Sequence, residues 1–560
     1  MSEPLRPLRL GIRHAQNVMR STRKAPHYVY FRLDSPLPLL RQPRPRWWHR
    51  FMASNTLSLE ELAERFARIA AHKNIRGVVL HLRELALPEA HLETLQEMLD
   101  SLRQSGKEVV VWSTSYKRVS YRVALHADKV LLQEGGNIGV LGLASTHTYL
   151  GDSLAWLGLK MDAVQISPYK SAADRLVRTD MSEEVREMHN WLLDSYYASL
   201  KCDIARGRSI SHEKAEEVVN SSPYTAHRAL DCGLVDGVLS EEDLPQYLAK
   251  DGQVAEIIPW SKAEKVLSLL PPARRDASIG VIRVTGSIVD GSSQKPPFKP
   301  PFSIPFLFNE RAGDITVVAQ ARAALADRRV KGVLLYVDSG GGSATASEAM
   351  YQALARLAAK KPVVALMGSV AASGGYYVAA AAEWVVASPG TLTGSIGVLT
   401  GKLVDGPLLK KLLANRMVLQ RGESASLHSS DKPYSERERQ IEWESISSIY
   451  ELFLRRVAKA RRITTAEIDA VGGGRVWTGE QAYAHGLVDE LGGLKAALAK
   501  VRELAKLPPH IAPRDIQVST QQAPLPDPSP AAAFSYALES TKLFGAYRAL
   551  CLCPYEEEGE

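Results

Sequence analysis

The chain has 560 residues, 45% of them hydrophobic and 23% charged, which excludes a disordered or fibrous protein and allows two or three globular domains. The net charge of +7 is local: residues 1–50 hold eleven Lys/Arg against Glu3 and Asp34, so the rest is slightly acidic. A basic arm without a recognised binding module argues against nucleic acid as a partner. Four cysteines are too few for a disulfide scaffold, and Cys551 and Cys553 form a lone C-x-C that does not make a metal site. No stretch approaches the ~20 apolar residues that cross a bilayer, and the N-terminus lacks an apolar signal-peptide core. The expected location is cytoplasmic, or peripheral to a membrane.

Residues 1–27 form the basic arm. Within it, 5–24 reads as an amphipathic helix with Leu8, Ile12, Ala15 and Met19 at helical spacing. Such a helix favours an anionic membrane surface; the plainer alternative is a solvated tail. From Tyr28 the pattern alternates. A strand at 28–31 leads to a helix at 58–72, a strand at 77–82, a helix at 89–104, a strand at 108–112 and a helix at 118–127. The same order returns later: strand 279–284, helix 314–326, strand 332–337, helix 345–359, strand 362–367 and helix 374–382. Alternation of this kind predicts an α/β fold with mostly parallel sheets.

Two loops, 35–52 and 295–308, each follow the first strand of their series and are rich in Pro, aromatics and base. They are expected to cover their own domain or a neighbouring subunit, or to place Trp47, Trp48, Phe298, Phe302 and Phe306 at a membrane interface. Residues 509–560 read as a Pro/Ala/Ser linker, a short helix at about 531–549 and an acidic end, a tether or oligomer contact without chemistry.

The two series are copies. Gly77-Val78-Val79-Leu80 returns 255 residues later as Gly332-Val333-Leu334-Leu335, and Tyr121-Arg122-Val123-Ala124 as Tyr376-Tyr377-Val378-Ala379. Gln165 maps onto Gln420, and Gly233-Leu234-Val235-Asp236 onto Gly486-Leu487-Val488-Asp489. The expected organisation is an arm at 1–27, repeat one at 28–271, repeat two at 272–508 and a tail at 509–560. Each copy lacks what the other has. Arg118 stands where repeat two has Ser373, and Ala425 where repeat one has Lys170.

Ser373 lies between a buried strand and an alanine-rich helix, in Ala371-Ala372-Ser373-Gly374-Gly375. There the unpaired N–H groups of a helix start favour developing negative charge, although an ordinary N-cap serine looks the same. A glycine turn, Ser339-Gly340-Gly341-Gly342-Ser343, follows another buried strand; it is a plain tight turn or a ligand-approach loop, and it lacks the lysine of a phosphate loop. A serine nucleophile needs a base. His126 and His485 fit packing or capping better. Lys170 sits among small and apolar residues, where desolvation can bring a lysine from ~10.4 towards ~7–8.

Tyr169-Lys170-Ser171-Ala172, Asp338-Ser339-Gly340-Gly341-Gly342-Ser343, Ala371-Ala372-Ser373-Gly374-Gly375 and Thr391-Leu392-Thr393-Gly394-Ser395-Ile396-Gly397 together resemble the signal peptide peptidase A family, of the long, duplicated type. The resemblance covers about residues 28–505. It implies two tandem Clp/crotonase-like repeats and a membrane-associated serine endopeptidase acting on signal peptide remnants and short or unfolded hydrophobic segments. It also implies ring-like homotetramers and no cofactor, with peptides as the partners. Carried over, Ser373 is the nucleophile, Lys170 the general base and Ser395 the residue that orients the lysine. The N–H groups of Gly341 and Gly374 form the oxyanion hole. The chain departs from the family pattern at Gly340, where proline is usual, at Ser167-Pro168 before the lysine, and in lacking an N-terminal membrane helix. Two rival readings use the same fold: an acyl-CoA enzyme of crotonase type, and a catalytically silent scaffold.

Overall fold

A computed structural model describes residues 6–41, 56–272, 276–296, 310–517, 535–536 and 549–552. The chain divides into two compact units. The first holds residues 1–144 and 193–276, and the second 145–192 and 277–557. Compactness thus draws the line differently from the repeats: 145–192, part of repeat one by sequence, packs with repeat two.

In the first unit six parallel strands run in the order Gly237–Val238, Lys129–Leu132, Glu108–Ser113, Gly77–Leu82, Tyr28–Leu33, Ile257–Pro259. All six residues of Gly77–Leu82 are buried, as expected of a parallel strand covered on both faces. The second unit repeats this order with Glu490–Leu491, Trp384–Ala387, Val363–Ala372, Val330–Ser339, Ser278–Thr285 and Pro513–Asp515, again parallel. Specific bonds repeat too. Tyr121 Oη donates to Leu234 O at 2.9 Å, and Tyr376 Oη to Leu487 O at 2.8 Å. Asp236 accepts from Val130 N at 2.6 Å, and Asp489 from Val385 N at 2.8 Å. The duplication is therefore structural. The fold is α/β with mostly parallel sheets, as the alternation predicts.

The second unit adds a six-stranded sheet in the order Arg311–Gly313, Ser287–Val289, Gly341–Ser343, Leu550–Leu552, Leu399–Val404, Lys160–Gln165. Two of its strands come from distant sequence. Lys160–Gln165 belongs to repeat one, and Leu550–Leu552 to the tail that reads as linker and helix. The tail is thus not a plain tether: 513–515 adds an edge to the main sheet, and 550–552, beyond the expected helix, forms a strand. Most of the expected helix at 531–549 lies outside the described residues.

The arm forms a helix, Arg6–Ser21. It is docked and not a solvated tail: Asn17 Nδ2 donates to Leu269 O at 3.2 Å, Leu269 N donates to Asn17 Oδ1 at 2.8 Å, and Arg20 Nη1 donates to Leu267 O at 3.0 Å. Its apolar stripe stays open, with Leu8 61%, Ile12 53% and Met19 66% exposed. Among the described residues no helix is long and apolar enough to cross a membrane. In the 35–52 loop, Leu37, Leu39 and Leu40 are buried in the first unit. Trp47, Trp48, Phe298, Phe302 and Phe306 lie outside the described residues.

Arg122, where repeat two has Tyr377, is wholly buried in the first unit between Glu89 and Asp203, with Nε 2.7 Å from Asp203 Oδ2. Burial opposes ionisation of Asp203, but the hydrogen bond from His126 and the charge and hydrogen bond of Arg122 prevail and hold its carboxyl down to about 2. A carboxyl held below the ordinary aspartate range stabilises the fold fully above that range, and the stability is lost as pH falls towards the folded value. Asp203→Ala leaves a buried guanidinium short of a partner, so denaturant unfolding is expected to show a loss of about 3 kcal/mol near neutral pH. The loss should shrink as pH approaches 2.

Candidate active site

The long strand Val363–Ala372 ends on Ser373, and helix Gly374–Ala379 begins immediately after. Ligand sites gather at such carboxyl ends in parallel sheets. Ser373 is fully buried and holds φ 53°, ψ −115°, a strained conformation for a residue with a Cβ. Its N–H donates to Gly394 O at 2.8 Å. The glycines after it are steric requirements. A Cβ at 374 would lie 2.7 Å from Ser347 Oγ and 3.1 Å from Gly341 Cα, and one at 375 would lie 2.4 Å from Ser339 O. The glycine turn at 340–342 therefore closes against the start of the serine helix.

The lysine arrives on the strand contributed by repeat one. Lys160–Gln165 pairs antiparallel with Leu399–Val404, Leu399 opposite Gln165 and Val404 opposite Lys160. Asp162 anchors that strand by accepting from Tyr434 N and from Arg439 Nη2, each at 2.7 Å. Lys170 follows five residues beyond the strand and is fully buried. A Cβ on Gly474, whose φ is 93°, would lie 2.6 Å from Lys170 N and Cα, and a Cβ on Gly397 would lie 3.2 Å from Lys170 Cδ. These two glycines make room for the lysine.

Lys170 Nζ lies 2.6 Å from Ser373 Oγ, 2.8 Å from Ser395 O and 3.0 Å from Ser395 Oγ. Ser395 is itself buried with φ 49° and donates its N–H to Arg475 O at 2.6 Å. Ser373, Lys170 and Ser395, 225 residues apart at the extremes, thus meet within one compact unit. The position of Lys170 in the other copy, Ala425, lies on an exposed stretch.

The glycine turn is held by its own hydrogen bonds. Gly341 N–H donates to Ser339 Oγ at 3.1 Å, and Ser339 Oγ donates to Gly286 O at 2.6 Å. The Gly341–Ser343 strand pairs antiparallel with Leu550–Leu552, Gly342 opposite Cys551. Ala344 N donates to Ala549 O at 3.3 Å. Antiparallel pairs alternate between bonded and non-bonded. By that alternation Gly342 N–H, not Gly341 N–H, faces the Cys551 carbonyl. The Gly374 N–H opens a helix and has no intrahelical acceptor. Where a Gly341 Cβ would sit, Cys551 O is 1.8 Å away and Gly374 N 2.7 Å away. The Cys551 carbonyl oxygen and Gly374 N thus both border the space that a side chain at 341 would fill. Burial pushes the Cys551 thiol up to about 11, against the opposing effects of Lys170 and a hydrogen bond with Ser373.

Sequence reasoning missed Gly342, Gly397, Gly474 and Cys551. The run Gly472-Gly473-Gly474 was a usable signal for a close backbone approach; nothing local marked Cys551. The histidines do take structural roles. His485 caps helix Gly479–Ala484 and lies 4.4 Å from the Trp477 ring, and His126 Nδ1 is 3.0 Å from Asp100.

A buried serine beside an amine, at the end of a parallel strand and against a glycine turn, has the layout of a serine hydrolase of Clp type, and residues 310–390 match the Clp protease family. Residues 101–255 and 355–508, one stretch from each repeat, match peptidase family S49, and the chain belongs to that family. It is 30% identical over 480 residues to the chloroplastic serine protease SPPA of Arabidopsis thaliana, covering 84% of this chain and 69% of the relative. It is 33% identical over 468 residues to Protease 4 of Salmonella typhi, covering 80% and 72%. Protease 4 of Haemophilus influenzae is 29% identical over 471 residues, covering 79% and 72%. The chain is a serine protease of the signal peptide peptidase type, which sets aside the acyl-CoA and silent-scaffold readings.

Proposed function

We propose that the protein hydrolyses peptide bonds through an acyl-enzyme on Ser373, with Lys170 as general base, in signal peptide remnants and short or unfolded hydrophobic segments. The observation that carries this is the 2.6 Å contact between Lys170 Nζ and Ser373 Oγ in a wholly buried setting. A neutral amine has two hydrogens and one lone pair. Donating both to Ser395 leaves the lone pair for the Ser373 hydroxyl, so Ser395 is a positioning residue. Desolvation disfavours an ammonium, the form a base must have lost. The strained Ser373 backbone aims the hydroxyl out of the strand end. Gly374 N–H and the turn receive the oxyanion, the turn through Gly342 in the register seen here. Lys170 then protonates the leaving amine and activates the deacylating water. A serine-reactive phosphonate should label Ser373 with full occupancy in the wild type and not in Lys170→Ala; equal labelling of both sinks the base assignment.

We further propose a cyclic homo-oligomer, the tetramer the resemblance implies, closed by strand exchange. Lys160–Gln165 pairs with Leu399–Val404. The repeat shift maps those strands onto 415–420 and 144–149. Neither segment is a strand in the chain, and Leu413 is 89%, Met417 88% and Leu419 94% exposed. An apolar, unpaired segment of this kind calls for a partner edge. Residues 415–420 of one copy would pair with 144–149 of the next. Light scattering should give a multimer for the wild type and a monomer for Met417→Asp/Leu419→Asp; an unchanged mass rejects the exchange.

The arm supports peripheral attachment, since its exposed Leu8, Ile12 and Met19 lie on a helix carrying Arg6, Arg9 and Arg13. Sedimentation with anionic vesicles in low salt should recover the protein, and Leu8→Glu/Ile12→Glu should not be recovered. No binding by the wild type rejects the idea.

A further inference from the structure

Arg475 touches the lysine's surroundings from two sides. Its carbonyl oxygen accepts the Ser395 N–H at 2.6 Å, and its guanidinium lies 4.0 Å from the centre of the Tyr169 ring, one residue before Lys170. Its Nη1 also donates to Gly472 O at 3.2 Å. A cation over an aromatic face is attracted by the ring quadrupole, and more strongly where both are partly withdrawn from water, as here. Tyr169 is fixed in turn. Its hydroxyl donates to Glu187 Oε2 at 2.6 Å, and its ring stacks on Trp191 with centroids 6.3 Å apart. Trp191 stacks on Trp477 at 4.7 Å, and Trp191 Nε1 donates to Val476 O at 2.9 Å. The loop that carries the lysine is thus fastened to the segment that carries Arg475.

The duplication supplies an internal comparison. The shift that aligns Asp236 with Asp489 aligns Ser222 with Arg475, and the shift that aligns Gly77 with Gly332 aligns Tyr169 with Ser424. Both copies nevertheless keep the same antiparallel strand pair, Asn137 opposite Thr225 in one and Leu392 opposite Thr478 in the other. The strand pair therefore forms without an arginine at this place, and the stack occurs only beside Lys170 and Ser373.

We propose that Arg475 and Tyr169 are positioning residues for the general base: their stack locks the lysine loop to the carbonyl that holds Ser395. The proposal rests on the Ser373–Lys170 reading above. A lysine amine sits on a flexible four-carbon stem, so its contact with one hydroxyl depends on what fixes its backbone and its acceptors. Ser395 holds φ 49°, a conformation that persists only where the surroundings impose it. The Arg475 carbonyl imposes it, and the side chain fixes that carbonyl. Without the stack the loop and the Ser395 backbone move independently, and a displacement of about 1 Å typically costs about 10²-fold in rate.

Steady-state kinetics of the full chain on a quenched fluorogenic peptide rich in Leu and Ala test this, with thermal unfolding of the same preparations. Arg475→Met and Tyr169→Leu should each lower kcat about 10²-fold and leave KM within about twofold, because the contact serves the transition state and not substrate binding. The double variant should be no slower than the worse single one, since both break one contact. Tyr169→Phe keeps the ring and should recover most of the kcat lost in Tyr169→Leu. Should Arg475→Met fail to fold, the two Tyr169 variants carry the test. Losses that multiply in the double variant, an effect confined to KM, or kcat near wild type in the folded single variants overturn the proposal. Tyr169→Phe as slow as Tyr169→Leu also overturns it, since the bond to Glu187 and not the stack would then matter. Lys170→Met beside them keeps the two readings apart. If it is inactive while Arg475→Met matches wild type, only the positioning pair falls; if it is active, the dyad falls.

Discussion

Ser373→Ala and Lys170→Met should each lower kcat/KM for peptide cleavage by about 10³- to 10⁴-fold, with thermal unfolding and circular dichroism close to wild type. The size follows from the geometry. Ser373 Oγ and Lys170 Nζ are 2.6 Å apart and both fully buried, and in the proposed mechanism nucleophile and base act as one unit. Removing either removes the whole proton-transfer path. The double variant should therefore be little worse than the single ones, because effects within one unit are not additive. Methionine keeps the volume of the lysine stem, which separates loss of the base from loss of packing. Lys170→Arg should not restore activity: a guanidinium stays protonated and is larger than a site in which only the missing side chains of Gly397 and Gly474 leave room for the lysine. Activity within tenfold of wild type in either single variant would remove the dyad.

Gly341→Ala is expected to cost about 10³-fold in kcat/KM while the fold survives. The position has φ 102°, where a side chain is strained, at about 1–3 kcal/mol. The larger effect is steric. The new Cβ would stand 1.8 Å from the Cys551 carbonyl oxygen and 2.7 Å from Gly374 N. In the proposed mechanism those atoms border the space where negative charge develops, and losing one oxyanion donor typically costs about 10²- to 10³-fold. A Cβ there displaces the carbonyl from both donors. The loss should appear in kcat for every peptide tested, with a phosphonate reacting correspondingly slowly at Ser373. An effect confined to KM would mean that the turn only binds substrate.

Much of the fold was legible because it is local. The strand at 77–82 and the helices at 89–104 and 314–326 have the bounds read from periodicity. The glycine turn and Ser373 were legible as candidates, but only the family resemblance separated them from a plain tight turn and an ordinary N-cap serine. The donor in the turn was not: whether Gly341 or Gly342 faces a carbonyl depends on the register of a pairing with a strand some 210 residues away, and a one-residue difference changes which N–H points inward. The tail was misread for the same reason. Its residues prefer no strand by themselves, and only two waiting edges make 550–552 extended.

The amino-acid sequence by itself determined the duplication, the alternation that makes a parallel α/β unit, and the complementary loss of Ser at Arg118 and of Lys at Ala425. These are properties of neighbouring residues and of self-similarity, and they need no partner to be read. Only the tertiary structure decided that 145–192 leaves its own repeat, pairs Lys160–Gln165 with Leu399–Val404 and so brings Lys170 to Ser373. It alone decided that Cys551 lies buried opposite Gly342. Both outcomes depend on strand edges that come together across more than 200 residues, where hydrogen-bond pairing and burial select the partner and local propensity carries no information.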